Sequence, residues 1–148
     1  MTSIRGRQFG FNRHMTTMPV AHYIATTNGV RISVLPSPLP SESQPAERVY
    51  VFAYTVTIEN ESAGTCQLIE RHWRIFSAGH QIGNVVGPGV VGEKPVLKVG
   101  ESFTYTSSAV INDPFGEMHG SYLFQLSDGG YFEAEIPRFD LCFTELLH

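Results

Sequence analysis

Apolar and polar residues alternate in short runs along most of the chain, and the clearest run spans residues 50–58. Its period of two, with many aromatic and β-branched residues, is typical of a strand that buries one face. The buried face would carry Tyr50, Phe52, Tyr54, Val56 and Ile58. We expect Tyr50, Tyr54 and the later Tyr105 to place their rings in a core and their hydroxyls at its rim.

A second run, residues 67–76, predicts the next strand. Its apolar face would carry Ile69, Trp73 and Ile75, and its polar face Glu70, His72 and Arg74. Trp73 should fill the core, as a tryptophan on a central sandwich strand often does. Arg71 lies two residues before Trp73 and therefore on the same, buried face of the strand. We expect its guanidinium to reach the rim or to pair with a buried carboxylate. Residues 77–80 predict a tight hairpin that returns along residues 81–86.

Shorter runs of the same period, at residues 30–34, 102–106, 122–126 and 131–136, predict further strands, and no segment has the pattern of an amphipathic helix. Four prolines in residues 36–45 predict a looped or edge-like crossover without helix. The fold class is therefore all-β, an immunoglobulin- or fibronectin type III-like β-sandwich of about seven or more antiparallel strands. Residues 1–28 lack any period, so we predict a flexible extension over 1–28 and one domain over 29–148.

Composition excludes several classes of protein. The 148 residues include 42% hydrophobic side chains, enough for a packed core, and the net charge is −4. No run of Lys and Arg offers a site for nucleic acid, and no stretch approaches ~18 apolar residues, so we expect neither nucleic-acid nor membrane binding. The N-terminus lacks the apolar run of a signal peptide. Cys66 and Cys142 have no metal-ligand spacing, and we expect two buried thiols, with a disulfide between them as the alternative.

Several stretches, in this order, resemble the ApaG family. They are residues 48–60 (RVYVFAYTVTIEN), 67–73 (QLIERHW), 87–95 (GPGVVGEKP), 116–122 (GEMHGSY) and the end from residue 136. The resemblance implies a fibronectin-like sandwich in a cytoplasmic bacterial protein without a cofactor. It also implies a link to cobalt and magnesium handling, use as a protein-interaction module, and no established enzymatic reaction.

The pattern GxGxxG is present at Gly87, Gly89 and Gly92. A dinucleotide-binding unit would need a helix after this loop, and Pro95 together with two valines opposes one. Two interpretations stay open. The glycines can serve left-handed backbone and close packing, or their N–H groups, with Lys94 nearby, can bind a phosphate group. The resemblance implies the same phosphate-binding role for this loop.

A weak metal site is predicted at Asp113, Glu117 and His119, because Glu117 and His119 would share a strand face with Asp113 close by. The alternative is a polar turn. No GxSxG elbow or activated cysteine occurs, and Glu133 and Glu135 are expected on a solvated strand face, so we predict no enzyme.

Three functions follow, in order of preference. The first is a module that docks an unknown protein partner, the second a sensor of phosphate, pyrophosphate or a nucleotide, and the third a divalent-metal regulator. Exposed edge strands would also permit a homodimer.

Overall fold

The computed structural model describes residues 22–143, which form two antiparallel sheets and confirm the all-β sandwich. The first sheet has the order β1-β2-β3-β7 and the second the order β5-β4-β8-β9, with β6 also paired to β4. The strands are β1 (Tyr23–Thr27), β2 (Val30–Pro38), β3 (Tyr50–Asn60), β4 (Cys66–Ser77), β5 (His80–Pro88), β6 (Val96–Leu97), β7 (Ser102–Ile111), β8 (Phe115–Leu126) and β9 (Tyr131–Cys142). No helix within residues 22–143 is long and apolar enough to cross a membrane.

The first strand begins earlier than the sequence predicts. β1 lies within the predicted extension and pairs with β2 through a turn at Asn28 and Gly29, where both residues have positive φ. The weakly alternating side chains of β1 gave no clear period, because an edge strand buries little of either face. Residues 1–21, the rest of the predicted extension, lie outside the described residues.

The proline-rich segment is partly strand and partly 3₁₀ helix. Pro36 and Pro38 lie in β2 beyond the end of β1, where a missing N–H costs no hydrogen bond on that side. Two single 3₁₀ turns follow, at Pro40–Glu42 and Pro45–Glu47, each with proline in its first turn. The expectation of a segment without helix was therefore wrong, since proline is compatible with a first helical turn.

The core lies between the two sheets, with Trp73 near its centre. The ring of Trp73 contacts the rings of Tyr54, Phe139 and Tyr122 at centroid distances of 5.3, 5.9 and 6.4 Å. These contacts confirm the predicted core role of Trp73. The predicted inward face of β3 is confirmed as well, because Phe52, Tyr54, Val56 and Ile58 are all buried.

One extra residue in β4 changes the predicted face of that strand. Leu68 pairs with Phe124 and Glu70 with Leu123, so Ile69 is a β-bulge without an opposite residue. The bulge places Leu68 on the inner face together with Trp73, and it removes Ile69 from the buried set. The predicted inward position of Ile69 was therefore wrong.

Both cysteines are free thiols in the structure. Cys66 is buried, as expected, but Cys142 is exposed on the outer side of β9. The expectation of two buried thiols was wrong for Cys142 because strand parity turns it away from the buried Leu141.

A buried pair of hydroxyls joins the two sheets. The Tyr105 hydroxyl on β7 lies 2.5 Å from the Tyr122 hydroxyl on β8, and Tyr122 is fully buried. Burial raises the pKa of both phenols far above the ordinary value. The predicted rim position of the Tyr105 hydroxyl was wrong, because the two hydroxyls satisfy each other inside the core.

We predict that Tyr105→Phe lowers the free energy of unfolding by about 1–3 kcal/mol, because it leaves the buried Tyr122 hydroxyl without this partner. Tyr105→Phe/Tyr122→Phe should cost less than the sum of the two single changes, since it leaves no orphaned hydroxyl. Urea unfolding of the four proteins measures the coupling. Strictly additive losses would show that the hydroxyl pair contributes nothing.

Candidate functional site

The glycine-rich loop interrupts the strand at one edge of the second sheet. β5 ends at Pro88 and β6 begins at Val96, and both pair with β4. Between them Val90 and Glu93 exchange two backbone hydrogen bonds of 2.8 Å. The two residues inside this turn, Val91 and Gly92, have positive φ angles of 41° and 81°, as in a type I′ turn. The buried side chain of Val90 anchors the loop in the core.

Gly89 has a neighbour that leaves no room for a side chain, and Gly87 has one that leaves little room. A Cβ on Gly89 would lie 2.2 Å from the carbonyl oxygen of Glu93, and its φ is +58°. A Cβ on Gly87 would lie 3.0 Å from the guanidinium nitrogens of Arg71. With Gly92 in the turn, packing and backbone conformation account for all three glycines of the motif.

The side chain of Arg71 anchors this loop by hydrogen bonds. Its Nη1 donates to the carbonyl oxygens of Pro88 at 2.9 Å and Gly89 at 3.0 Å. Among residues 22–143 no carboxylate lies within ion-pair distance of Arg71. The sequence left open a rim position or a buried carboxylate, and the structure instead gives Arg71 two carbonyl acceptors of the loop.

The predicted phosphate-binding residues Gly87, Gly89, Gly92 and Lys94 do lie in one loop. However, the Gly89 N–H donates to the Ile69 carbonyl and the Val90 N–H to the Glu93 carbonyl, each at 2.8 Å. Two donors of the expected anion nest are therefore already used inside the protein. Phosphate binding at this loop stays a prediction.

The structure does not bring Asp113, Glu117 and His119 together as a set of ligands. Asp113 contacts Arg48 and the Ser77 hydroxyl, each at 3.0 Å. Within residues 22–143, no three His, Cys, Asp or Glu side chains are placed to hold a metal ion. The physical reason is that each carboxylate has a cation of its own. Glu117, which does share the outer face of β8 with His119, is paired with Arg138.

His119 borders a shallow polar concavity on the outer face of the second sheet, and its ring stacks on Phe76. Desolvation lowers the pKa of His119, and the positive charges of Arg138 and Arg74 lower it further. Glu133 and Glu135 are exposed on this face, as expected. The cavity has a volume of about 270 Å³ and is lined by Arg74, His119, Gly120, Ser121, Glu133 and Glu135.

The free edge of β5, residues 80–88, is the feature that motif analysis missed. Within the described residues β5 pairs with β4 alone. Three apolar side chains are exposed there: Ile82 at 44%, Val85 at 40% and Val86 at 60%. The sequence signal is an absence, since no Asp, Glu, Lys or Arg occurs from residue 75 to residue 92. Charged residues commonly protect exposed edge strands, and this edge has none.

The backbone of this edge is also available for pairing. The Gly89 N–H donates to the Ile69 carbonyl, in register with the pairs Glu70–Pro88 and His72–Val86. Because hydrogen-bonded pairs alternate in an antiparallel ladder, Asn84, Val86 and Pro88 direct their backbone groups away from β4. Pro88 has no N–H, so Asn84 and Val86 supply the free donors between the bulge at Ile82 and the end of β5.

The chain is similar to known proteins over most of its length. A family model described as the ApaG domain matches residues 40–126. The protein ApaG of Thiobacillus denitrificans is 48% identical over 119 residues, which cover 80% of this chain and 94% of that protein. The chain belongs to the ApaG domain family.

Other relatives agree with this assignment. The ApaG protein of Dechloromonas aromatica is 43% identical over 127 residues, which cover 84% of this chain and 100% of that protein. The crystal structure of the putative ApaA protein from Bordetella pertussis has a TM-score of 0.76 and 38% identity, covering 86% of this chain and 99% of that one. The names of these relatives state no reaction.

For this ApaG domain we predict a graded response to alanine in its glycines. Gly89→Ala should lower the free energy of unfolding by roughly 2 kcal/mol or more, because it combines positive φ with a clash against backbone. Gly92→Ala, with positive φ but open space, should cost about 1 kcal/mol. Gly64→Ala, with neither, is the control and should change stability by less than about 0.5 kcal/mol. Urea unfolding gives the order, and equal losses at all three positions would contradict it.

The lowered pKa of His119 predicts a pH dependence of stability. An unfolded histidine takes up a proton below its ordinary pKa, whereas folded His119 stays neutral to lower pH. Its contribution to stability is therefore present above the ordinary pKa of histidine and is lost as the pH falls through that range. His119→Gln should lose less stability than the native protein between about pH 7.5 and pH 5 in urea unfolding. An unchanged slope against pH would show that His119 titrates alike in both states.

Proposed function

We propose that this ApaG domain is a protein-interaction module that receives an extended segment of a partner protein along the free edge of β5. The supporting observation is a strand of nine residues that has exposed valines and isoleucine, free backbone donors and no charge. An added strand gains affinity from main-chain hydrogen bonds and specificity from its alternate side chains.

The other strands at the sheet edges offer less to a partner. β9 exposes Glu133, Glu135 and Asp140 and contains Pro137, and its Glu135 N–H donates to the Thr27 hydroxyl of β1. β1 has only five residues. β7 is long and uncharged, but it is rich in Ser and Thr. The hydrophobic gain on adding a strand is therefore greatest at β5.

The chemistry of the edge describes the partner. Val86 lies on the outer face of the sheet, opposite His72, and Val85 lies on the inner face, opposite Trp73. A matching segment is extended and uncharged, with apolar or β-branched side chains on both faces, because a charged residue would lose solvation beside these valines. A link to cobalt and magnesium handling would then run through the partner.

We predict that Val86→Lys weakens the binding of such segments at least about tenfold, because it puts a charge at the centre of the edge. The probe is a phage-displayed library of nine-residue peptides selected on the native protein. Selected peptides should be uncharged and rich in Val, Ile and Thr, and should shift the amide NMR signals of residues 80–88.

Val110→Lys is the matched control, because Val110 is a valine of similar exposure, 55%, on β7. It should leave peptide binding within about twofold of the native value. Peptides that bind Val86→Lys equally well, or that shift signals of β7 or β9 instead, would refute the proposal.

A further inference from the structure

We infer that, in the absence of a partner, the β5 edge pairs with the β5 edge of a second copy of this chain, about a two-fold axis at Asn84. This inference rests on the proposed function, since it assigns the occupant that a partner segment must displace. It also explains how an apolar edge can stay protected from random association.

The length of β5 fits this axis. β5 runs from His80 to Pro88, and Asn84 is its central residue. A two-fold axis at Asn84 therefore pairs the middle of β5 with its copy, and the ladder between the copies ends at Ile82, which is a β-bulge without an opposite residue in β4. The four-stranded order β5-β4-β8-β9 would continue into the same four strands of the second copy.

The side chains are self-complementary in this register. Val85 would face Gly83 of the other chain, a large residue against one without a side chain. Val86 would lie beside the bulged Ile82, bringing two of the three exposed apolar side chains of β5 together, and the amides of the two Asn84 residues would lie beside each other. A two-fold interface requires a surface that is complementary to itself, and this register provides one.

The backbone selects the same arrangement. Asn84 and Val86 direct their N–H and C=O groups away from β4, so Asn84 can exchange two hydrogen bonds with its own copy. An axis at Val85 would also satisfy the alternation, but it would set Pro88, without an N–H, against Ile82 and put Asn84 against Val86. The axis at Asn84 keeps Pro88 away from Ile82 and pairs Asn84 with its own copy.

The charges permit the contact. The chain carries a net charge of −4, which opposes self-association in general. No Asp, Glu, Lys or Arg occurs from residue 75 to residue 92, so this edge brings no like charges together. One pair of strands buries less than the roughly 1,200 Å² of a stable interface, so we expect a weak dimer that a partner segment can displace.

The first test is the mass in solution. Sedimentation equilibrium from about 10 μM to 1 mM should show a monomer–dimer equilibrium, which Val86→Lys shifts at least about tenfold towards monomer. Val110→Lys should leave the equilibrium unchanged, and circular dichroism confirms that both variants are folded. A native protein that stays monomeric at 1 mM, or a Val86→Lys dimer of native affinity, would overturn the inference.

The second test fixes the register by disulfide formation in a Cys142→Ser background. Paired residues exchanging hydrogen bonds have Cα atoms about 5.5 Å apart, so Asn84→Cys should form a disulfide across the axis. Gln81→Cys, on the same strand, would lie about 20 Å from its copy and should not. Equal cross-linking at both positions would overturn the register.

The two proposals fail separately. A monomeric protein that still binds selected peptides along residues 80–88 would end the dimer and leave the proposed function intact. A dimer through β5 with no peptide binding would end the proposed function and leave the dimer intact.

Discussion

The hydrogen bonds between Arg71 and the glycine-rich loop are the interaction on which the proposed docking edge of this protein depends. Arg71 shares the inner face of β4 with Trp73 and lies beneath the glycine-rich loop, and the Ile69 carbonyl accepts from the Gly89 N–H as the next step of the β4–β5 ladder. Arg71 then donates to the Pro88 and Gly89 carbonyls and fixes where β5 stops. One partly buried cation and one backbone hydrogen bond therefore set the end of the edge strand and the position of the loop.

This arrangement changes the meaning of the GxGxxG pattern. In a nucleotide-binding unit the glycines let a phosphate approach the backbone, and here a guanidinium and a carbonyl oxygen of the protein occupy that space. The motif describes a close approach of backbone without stating what approaches. Whether a ligand or the protein itself fills the space depends on the residues that pack against each glycine. For Gly87 that residue is Arg71, which is distant in the sequence.

Much of the fold could be predicted because its signals are local. The alternation of β3, the core position of Trp73 and the hairpin at Ala78 and Gly79 each follow from a few consecutive residues. The bulge at Ile69 could not be predicted, since an extra residue is visible only against the paired strand. Asp113 was assigned to a metal site from its sequence neighbours, but its partners are Arg48, which follows the second 3₁₀ helix, and Ser77, at the end of β4.

The edge of β5 escaped prediction for a different reason. A sequence motif consists of residues that carry chemistry, whereas the signal here is a stretch of 18 residues without a carboxylate, ammonium or guanidinium group. Such a stretch is ordinary in a buried strand and unusual at an open edge, so its meaning depends on the sheet order. Because the loop held by Arg71 breaks the ladder after Pro88, the edge offers a short segment of defined length and a proline at its end. These two features limit the length of a segment that can pair along β5, as the proposed docking role requires.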